Sequence, residues 1–297
     1  MAQEQQATPA EFQGRLAAGK NWMEIVAWVG DLPPLPHVAA KAIQLVEDPD
    51  ATAQKLTDVL SSDTALAARV LKIANSAMFS RQREITTLSQ AIMVIGFKAL
   101  KGIIVAATLR QLNRSSGKTE KLVWENSMCT AMGAHILTAH LKKRFLDEVF
   151  LLGLLHDLGK LVLIKQTPKE YIEVNKQIET GLTFVDAEMK VLGFAHPLIG
   201  ALVAKKWNFS PEICQVILHH HDPLDAPLSS DLEEKTAIIQ LADALALRLG
   251  KGRPKQYPDT TPQIEETAKL LNLDMPTCDT LVVEIEKMYA DQSSVFE

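Results

Sequence analysis

The sequence has few cysteines and no long apolar run, and each shortage excludes a class of protein. Its three cysteines, Cys129, Cys214 and Cys278, lie far apart without a C-x-x-C pair, which excludes a disulfide framework and a thiolate zinc site. The longest apolar stretch, residues 149–155, is far shorter than the roughly 20 residues that cross a bilayer. The amino terminus lacks the basic and apolar segments of a secretory signal. We therefore expect a soluble protein of the reducing cytoplasm that does not associate with membranes.

Basic charge is also in short supply. The formal net charge is -5 and the pI is about 5.9. Proteins that bind nucleic acid or anionic membrane surfaces need basic residues to neutralise phosphates, so we expect no nucleic-acid partner. Glycine and proline are few, at 14 each, and 47% of the residues are hydrophobic, which is typical of a folded globular protein rather than a disordered chain.

The apolar residues recur at helical spacing, and no run alternates for long enough to predict a sheet, so we predict an all-α fold. In the first half, Asp50, Ser62 and Asp63 precede apolar-periodic runs and are predicted to cap successive short helices. Further along the chain, helices are predicted over residues 123–140, 148–164, 169–180, 184–192, 197–206, 211–219, 232–249, 263–271 and 277–289.

Two segments interrupt the helical pattern and suggest how the chain is organised. One is NRSSGK at residues 113–118, and the other is the Gly- and Pro-rich stretch at residues 250–262. The predicted organisation is an N-terminal extension at 1–24, a main region at 25–245 with parts at 25–114 and 120–245, and a C-terminal helical tail at 246–297.

The sharpest feature is LLGLLHDLGKLVL, where His156 and Asp157 lie side by side in an otherwise apolar predicted helix. Burying such groups without partners costs several kcal/mol, so they must be hydrogen-bonded or bound to metal. Adjacent helical residues point about 100° apart, which lets a metal at the helix edge contact both, and a carboxylate can bridge two ions. The alternative is that they form a helix N-cap and a hydrogen-bonded core histidine.

Other histidines and an acidic residue belong to the same pattern. His196 opens the helix HPLIGALVAKKW, the run from His219 to His221 ends another helix, and Asp243 lies inside the apolar run AIIQLADALAL. Five of the eight histidines fall between residues 156 and 221. Helix bundles build metal sites from side chains on facing helices, so these residues are candidate ligands. Alternatively, His196 contacts the backbone at a helix start and Asp243 is a buried acid bonded to a neighbouring helix.

The order His-Asp, His-Pro, His-His, Asp resembles the HD superfamily of metal-dependent phosphohydrolases, and the details resemble its HDOD branch, a relative of the HD-GYP cyclic-dinucleotide phosphodiesterases. The segments LPPLPHVAAKAIQLVEDP, LSSDTALAARVLKIANSAMFS and ITTLSQAIMVIGFKAL resemble the HDOD pattern in the first half. The second half resembles the HDOD pattern at Trp124, at Ser127 and at HDLGK. It also contains, in the HDOD order, a glutamate followed by HPLIGALVAKKW and then HHHDP. The resemblance covers about residues 25–245 and implies a multi-helix HD-type bundle with an N-terminal helical subdomain packed against it.

Carried over to this chain, the resemblance implies a set of metal ligands with Asp157 as the bridging residue. The set consists of His156, Asp157, His196, His220, His221 and Asp243. The resemblance implies iron, manganese or zinc as the metal. It also places Lys160 near the metal, where related hydrolases hold substrate phosphate. His219 is interpreted as the residue that precedes the His-His pair.

Two departures from the family pattern bear on activity. Catalytic HD proteins have a histidine shortly before the HD helix, but WENSMCTA places Asn126 there, and an amide is a weaker ligand than imidazole. LDAPLSS follows His-His-Asp-Pro where HD-GYP enzymes have their Gly-Tyr-Pro motif, which disfavours a cyclic-dinucleotide substrate.

The resemblance implies a bacterial signal-transduction module, because the HDOD family looks like a group of non-catalytic modules that transmit signals through partners. Signalling proteins in trans or a small ligand are the expected partners, and the metal site is either retained or kept as a hydrogen-bonded core. One alternative is a metal-dependent phosphohydrolase acting on a nucleotide or phosphoester, with Asp157 and Lys160 as catalytic residues. Another is sensing by the metal itself, including an oxygen or redox response of a di-iron site.

Overall fold

The structure is a computed structural model that describes residues 14–18, 22–30, 35–76, 79, 84–112, 117–225 and 227–296. In these residues the chain forms sixteen α-helices, one short 3₁₀ helix and no β-strand, which confirms the predicted all-α fold. The first eight helices are α1 (Trp22–Gly30), α2 (His37–Glu47), α3 (Ala53–Ser61), α4 (Thr64–Ala74), α5 (Leu88–Ile95), α6 (Phe97–Leu112), α7 (Lys118–His140) and α8 (Leu146–Leu155). The last eight are α9 (Leu158–Gln166), α10 (Pro168–Glu179), α11 (Phe184–Leu192), α12 (His196–Lys206), α13 (Pro211–His219), α14 (Asp231–Arg248), α15 (Thr261–Leu270) and α16 (Met275–Gln292), and the 3₁₀ helix is Ser293–Val295.

One connected apolar core joins the N-terminal helices to the later ones. Ile43 of α2, Ile103 of α6, Leu154 of α8 and Leu245 of α14 all belong to it. Helix α6 packs against α8, and α7 packs against α8, α14 and α16. Buried residues lie on every side of α7, as expected of a helix at the centre of a bundle. The predicted bundle with an N-terminal helical part packed against it is confirmed, while the division into segments stays a prediction.

The predicted helix over residues 148–164 is wrong. Helix α8 ends at Leu155 and α9 begins at Leu158, with His156 as the C-cap of one and Asp157 at the N-cap position of the other. The Asp157 side chain makes no capping hydrogen bond, and it accepts a hydrogen bond from Lys160 Nζ at 2.8 Å instead. The histidine and aspartate therefore lie at a break between two helices, which aims both side chains inward instead of spreading them around one helix.

The predicted caps of the N-terminal helices are partly correct. Asp63 caps α4 by accepting a hydrogen bond from the Leu66 backbone N–H. Asp50 does not cap α3, because residues 48–51 form a turn and Thr52 takes that role. Ser62 lies at the C-terminal end of α3, where its hydroxyl donates to the Val59 carbonyl oxygen, so its predicted cap is also wrong.

Helix α9 crosses α12 at a very short distance, and glycines allow this approach. A Cβ atom added to Gly159 would lie 2.0 Å from the His196 carbonyl oxygen and 2.8 Å from the Gly200 nitrogen. Gly153 makes the same kind of contact with α7, since a Cβ there would lie 2.6 Å from the Ala131 Cα. Only residues without a side chain fit these crossings, so the glycines set how near the loop at residues 156–157 comes to the start of α12.

No single helix in the described ranges is long and apolar enough to cross a membrane. The pair α11 and α12 passes the same length and composition test jointly, with a bend of 86° between the two helices.

A buried lysine joins three helices through two carboxylates. Lys235 of α14 donates to Glu148 of α8 and to Glu212 of α13, both at 2.6 Å, and Lys98 also pairs with Glu148 at 2.8 Å. Burial alone raises the pKa of Glu148, but the two lysines outweigh it and hold this pKa below its ordinary value. The ionised carboxylate therefore stabilises the folded protein above that ordinary pKa, and the contribution is lost as the pH falls through the lower folded value.

We expect Glu148→Gln to lower the free energy of unfolding by about 1 kcal/mol at pH 7, the upper range for partly exposed pairs. The difference from wild type should shrink toward zero as the pH falls from 7 through the lowered folded pKa of Glu148, because the protonated carboxyl group is then as neutral as the glutamine amide. Urea unfolding across this pH range measures it, with exposed Glu265→Gln as the control that changes net charge equally. A difference that is constant with pH would contradict a charge-based contribution.

Candidate metal centre

The six candidate ligands come together where five helices meet. His156 and Asp157 lie between α8 and α9, and the other four come from the start of α12, the end of α13 and the middle of α14. Ligand atoms of four of them, Asp157, His196, His220 and His221, all lie within 4.8 Å of one another. His156 Nε2 is 3.5 Å from Asp157 Oδ2 and 3.6 Å from Asp243 Oδ1. These residues are called the His–Asp cluster below: His156, Asp157, His196, His220, His221 and Asp243.

The His–Asp cluster is inaccessible to solvent except at one edge. His156, His196 and His220 have 0% exposure and the two aspartates have 1%. Only His221 is partly exposed. In a buried site each unpaired polar atom costs about 1–3 kcal/mol, so the hydrogen bonds of every member need to be accounted for.

Three histidines have their Nδ1 protons committed to acceptors outside the cluster. His156 Nδ1 lies 2.6 Å from the Gly153 carbonyl oxygen, and His220 Nδ1 lies 2.6 Å from that of Ile217. His196 Nδ1 lies 2.7 Å from Glu188 Oε2. Carbonyl and carboxylate oxygens only accept, so these Nδ1 atoms carry protons. In the neutral imidazoles each Nε2 then presents a lone pair, which is the form that binds a metal.

The free lone pairs point toward one another. His196 Nε2 and His220 Nε2 are 3.3 Å apart, and neither neutral ring has a proton there to donate. Asp157 Oδ1 lies 3.2 Å from His196 Nε2 and 3.8 Å from His220 Nε2. Four of the buried atoms that lack a hydrogen-bond partner in the described chain belong to the cluster: His156 Nε2, Asp157 Oδ1, His221 Nε2 and Asp243 Oδ2. Unprotonated nitrogen and oxygen atoms that face inward are suitable ligands for a divalent cation.

Both carboxylates of the cluster favour the ionised state. Burial raises the pKa of Asp157, but Lys160 and the surrounding histidines outweigh burial and hold it well below its ordinary value. Burial likewise raises the pKa of Asp243, but the neighbouring His156 ring outweighs burial and brings it below its ordinary value. Ionised carboxylates are the form that coordinates metal, so neither aspartate needs to lose a proton on binding at neutral pH.

The imidazoles of the cluster differ in the direction in which their pKa values are shifted. Burial lowers the pKa of His220 to about 4, and burial together with His220 holds that of His221 well below its ordinary value. Both are therefore neutral at pH 7. Burial also lowers the pKa of His156, but Asp157 and Asp243 outweigh this effect and raise it. A metal at His156 thus competes with a proton.

Lys160 lies beside the cluster, where the sequence places it, but its charge is already engaged. Its Nζ donates to Asp157 Oδ2 at 2.8 Å and lies 3.9 Å from the centre of the Phe184 ring. The residue is 2% exposed. Lys160 therefore neutralises Asp157 and does not present a free ammonium group to a substrate phosphate.

Asn126, which stands in place of the first histidine of catalytic HD proteins, is bonded to the cluster rather than facing it as a ligand. Its Nδ2 donates to Asp243 Oδ1 at 2.9 Å and lies 3.5 Å from the Lys251 carbonyl oxygen. Gly252, with a φ of +78°, packs so tightly on it that an added Cβ would lie 2.2 Å from the Asn126 Cβ. The segment after α14 thus fills the space around this position.

A cavity of about 310 Å³ adjoins the exposed edge of the cluster at His221. Its lining includes Asp186, Asp222 and Glu266, and no lysine or arginine of the described chain lines it. Arg15 pairs with Asp222, which leaves the other two carboxylates to make the cavity negative. The cavity therefore favours cations and disfavours anions such as phosphate esters.

Glu188, the glutamate before HPLIGALVAKKW in the family pattern, was assigned no role from the sequence, and neither was the C-terminal tail. Glu188 is buried on the same stripe of α11 as Phe184, Ala187 and Leu192, and an acid on an apolar stripe is the signal that could have revealed it. Tyr257 and α15 line the cavity, which no local pattern indicates because they are distant in sequence. His219 lies outside the cluster, bonded to Asp222 and Gln215, so the pair is His220 and His221 as interpreted.

Comparison with known proteins gives consistent matches. The family model described as HDOD domain matches residues 32–223. An uncharacterized protein of Treponema pallidum (strain Nichols) is 26% identical over 205 residues, which cover 67% of this chain and 39% of that protein, so this chain spans well under half of that relative.

Solved structures match over almost the whole chain. A Shewanella amazonensis SB2B protein, provisionally assigned as a phosphohydrolase, has a TM-score of 0.70 and 25% identity, over 92% of this chain and 96% of its own. An HDOD domain protein of unknown function from Geobacter sulfurreducens has a TM-score of 0.72 and 24% identity, over 93% and 96% of the two chains. The second likeness shows the fold alone.

Proposed function

Because the chain belongs to the HDOD domain family, we propose that it is a regulatory signalling module of the bacterial cytoplasm that binds a divalent metal at the His–Asp cluster. It acts through a signalling protein in trans or a small ligand, and not through turnover of a substrate. The metal is iron, manganese or zinc, since the donors combine imidazole nitrogens with carboxylate oxygens.

The observation that carries this proposal is the set of inward-facing lone pairs. His196 Nε2 and His220 Nε2 are 3.3 Å apart while both Nδ1 protons are held elsewhere. A hydrogen-bonded core would be expected to pair these atoms instead, because a buried unpaired polar atom is costly. Asp157, whose Oδ1 faces both rings, would hold the metal together with these histidines. When bound, a divalent ion supplies a concentrated positive charge that compensates the two aspartates.

The surroundings of the cluster favour regulation over phosphoester hydrolysis. Hydrolysis of a phosphoester requires positive groups that receive the phosphate, and Lys160 is committed to Asp157. The adjoining cavity carries Asp186 and Glu266, whose charge opposes an anionic substrate. Metal-dependent phosphohydrolysis of a nucleotide or phosphoester is the second candidate, favoured by the similarity to the Shewanella amazonensis SB2B protein.

Elemental analysis of the purified protein, before and after dialysis against a chelator, tests the proposal. We expect at least one equivalent of iron, manganese or zinc before chelation, and loss of this metal in His220→Ala. His219→Ala is the matched control, because the neighbouring histidine lies outside the cluster, and it should keep the metal. Folded wild-type protein that takes up none of the three metals would refute the metal site.

The same preparations separate regulation from catalysis. Metal-loaded protein should hydrolyse bis(p-nitrophenyl) phosphate no faster than the His220→Ala variant. A rate that is lost together with the metal in that variant would establish the phosphohydrolase instead.

A further inference from the structure

Glu188 is a buried carboxylate next to the cluster, and its bonds concentrate on one cluster residue. It has 0% exposure. Its Oε2 accepts hydrogen bonds from the His196 backbone N–H at 2.8 Å and from His196 Nδ1 at 2.7 Å. Its Oε1 accepts a hydrogen bond from the Tyr171 hydroxyl at 3.0 Å. The carboxylate is therefore held by α10 on one side and directed at a single histidine on the other.

These bonds fix both the proton and the orientation of the His196 ring. A carboxylate at Nδ1 stabilises the tautomer with its proton on that nitrogen, which leaves the Nε2 lone pair for a metal. The bond from the backbone N–H of the same residue prevents the ring and the carboxylate from shifting independently. The Tyr171 hydroxyl fixes the second oxygen of Glu188, so the carboxylate cannot turn away.

We infer that Glu188 is a positioning residue for the metal site: it holds His196 as the Nδ1–H tautomer with Nε2 facing Asp157 and His220. This inference rests on the proposed metal site and deepens it. Partners of this kind orient a ligating histidine and make it more basic, and their loss typically weakens metal binding about 10–100-fold. Tyr171 acts one step further out, through Glu188.

A purely structural role is the competing explanation, because Glu188 also satisfies the first backbone N–H of α12. The two roles differ in their consequences for metal-free protein. Glu188→Gln keeps an oxygen that can accept from that N–H, and it removes a buried charge, so metal-free stability should not fall. If the role is positioning, the neutral amide oxygen holds the Nδ1 proton less strongly than the carboxylate does, so the loss appears in metal affinity and in the tautomer of His196.

The experiment measures zinc and manganese affinity by competition with a fluorescent chelator, together with thermal unfolding of the metal-free proteins. We expect zinc binding to weaken at least about tenfold in Glu188→Gln and less, about two- to threefold, in Tyr171→Phe. Metal-free melting temperatures should not fall. Glu170→Gln, an exposed neighbour of Tyr171 on α10, is the matched control and should bind as wild type.

A second readout does not depend on metal. Long-range ¹H–¹⁵N NMR of metal-free protein reports which nitrogen of His196 carries the proton. We expect the Nδ1–H form in wild type and a mixture of tautomers in Glu188→Gln. Wild-type affinity and an unchanged tautomer in Glu188→Gln would overturn the inference while leaving the proposed metal site intact. Wild type that binds no metal would instead overturn the proposed site, and Tyr171→Phe keeps the test decisive if Glu188→Gln fails to fold.

Discussion

Gly159→Ala is expected to lower the free energy of unfolding by about 3 kcal/mol or more and to abolish metal binding. The added Cβ would lie 2.0 Å from the His196 carbonyl oxygen and 2.8 Å from the Gly200 nitrogen. Both are backbone atoms that cannot rotate away, so α9 and α12 must separate, and overpacking of this kind costs about 1–3 kcal/mol or more. Separation of the two helices also draws Asp157 away from His196; in the wild-type structure Asp157 Oδ1 lies 3.2 Å from His196 Nε2.

Urea unfolding and metal titration of the same variant measure both effects. Gly133→Ala in α7 is the control, because its added Cβ would come no nearer than 3.2 Å to any atom, the end of the Ile285 side chain. Alanine also favours a helix interior over glycine by about 1 kcal/mol, so this variant should be near wild type or more stable. If Gly159→Ala were as stable as Gly133→Ala, the close crossing of α9 and α12 would be wrong.

His156→Ala is expected to show the second large effect, and its size should depend on the metal. At a metal concentration about 100 times the Kd, bound metal stabilises the folded wild-type protein by about 2.7 kcal/mol. The variant should lose most of this contribution, together with a smaller packing loss that is independent of metal, because the side chain is fully buried. Adding a chelator should therefore bring the two proteins closer in stability by most of that amount.

Chemical unfolding with and without chelator gives the four stabilities that this comparison needs. His140→Ala, at the exposed end of α7, should show the same response to chelator as wild type. In a metal-free core, the loss caused by His156→Ala would be identical in both conditions. That result would support the alternative in which the histidine is only a hydrogen-bonded core residue.

Local signals were sufficient for much of the fold. Helices α11 and α13 have the bounds predicted from sequence, because Thr183 and Ser210 cap their first turns with side chains next to them in the chain. The break at His156 could not be predicted in this way. Residues on both sides of it are apolar and favour helix, and the break depends on how α9 packs against α12.

The candidate site, like the fold, could be predicted only in part from the sequence. The sequence pattern and the family resemblance indicated all six residues of the cluster, since ligand types recur in a recognisable order along the chain. They included Glu188 only as the glutamate that precedes HPLIGALVAKKW and did not indicate its role, because its partner His196 is eight residues away across a turn between two helices. They also did not reveal that Lys160 is engaged by Asp157, because that depends on side-chain direction at the helix break.

By itself, the sequence determined the helical class, most helix positions in the second half and the identity of the candidate ligands. These properties follow from periodicity, capping and residue chemistry within a few positions of the chain. Only the tertiary structure decided which nitrogen of each histidine is free, which carboxylate lies beside Lys160 and how closely α9 approaches α12. The reason is that each depends on distances of about 3 Å between particular atoms. Side-chain direction at the helix ends sets these distances for His156, His220 and Lys160, and atoms of different helices set them for His196 and for the crossing of α9 and α12. No sequence pattern records such distances.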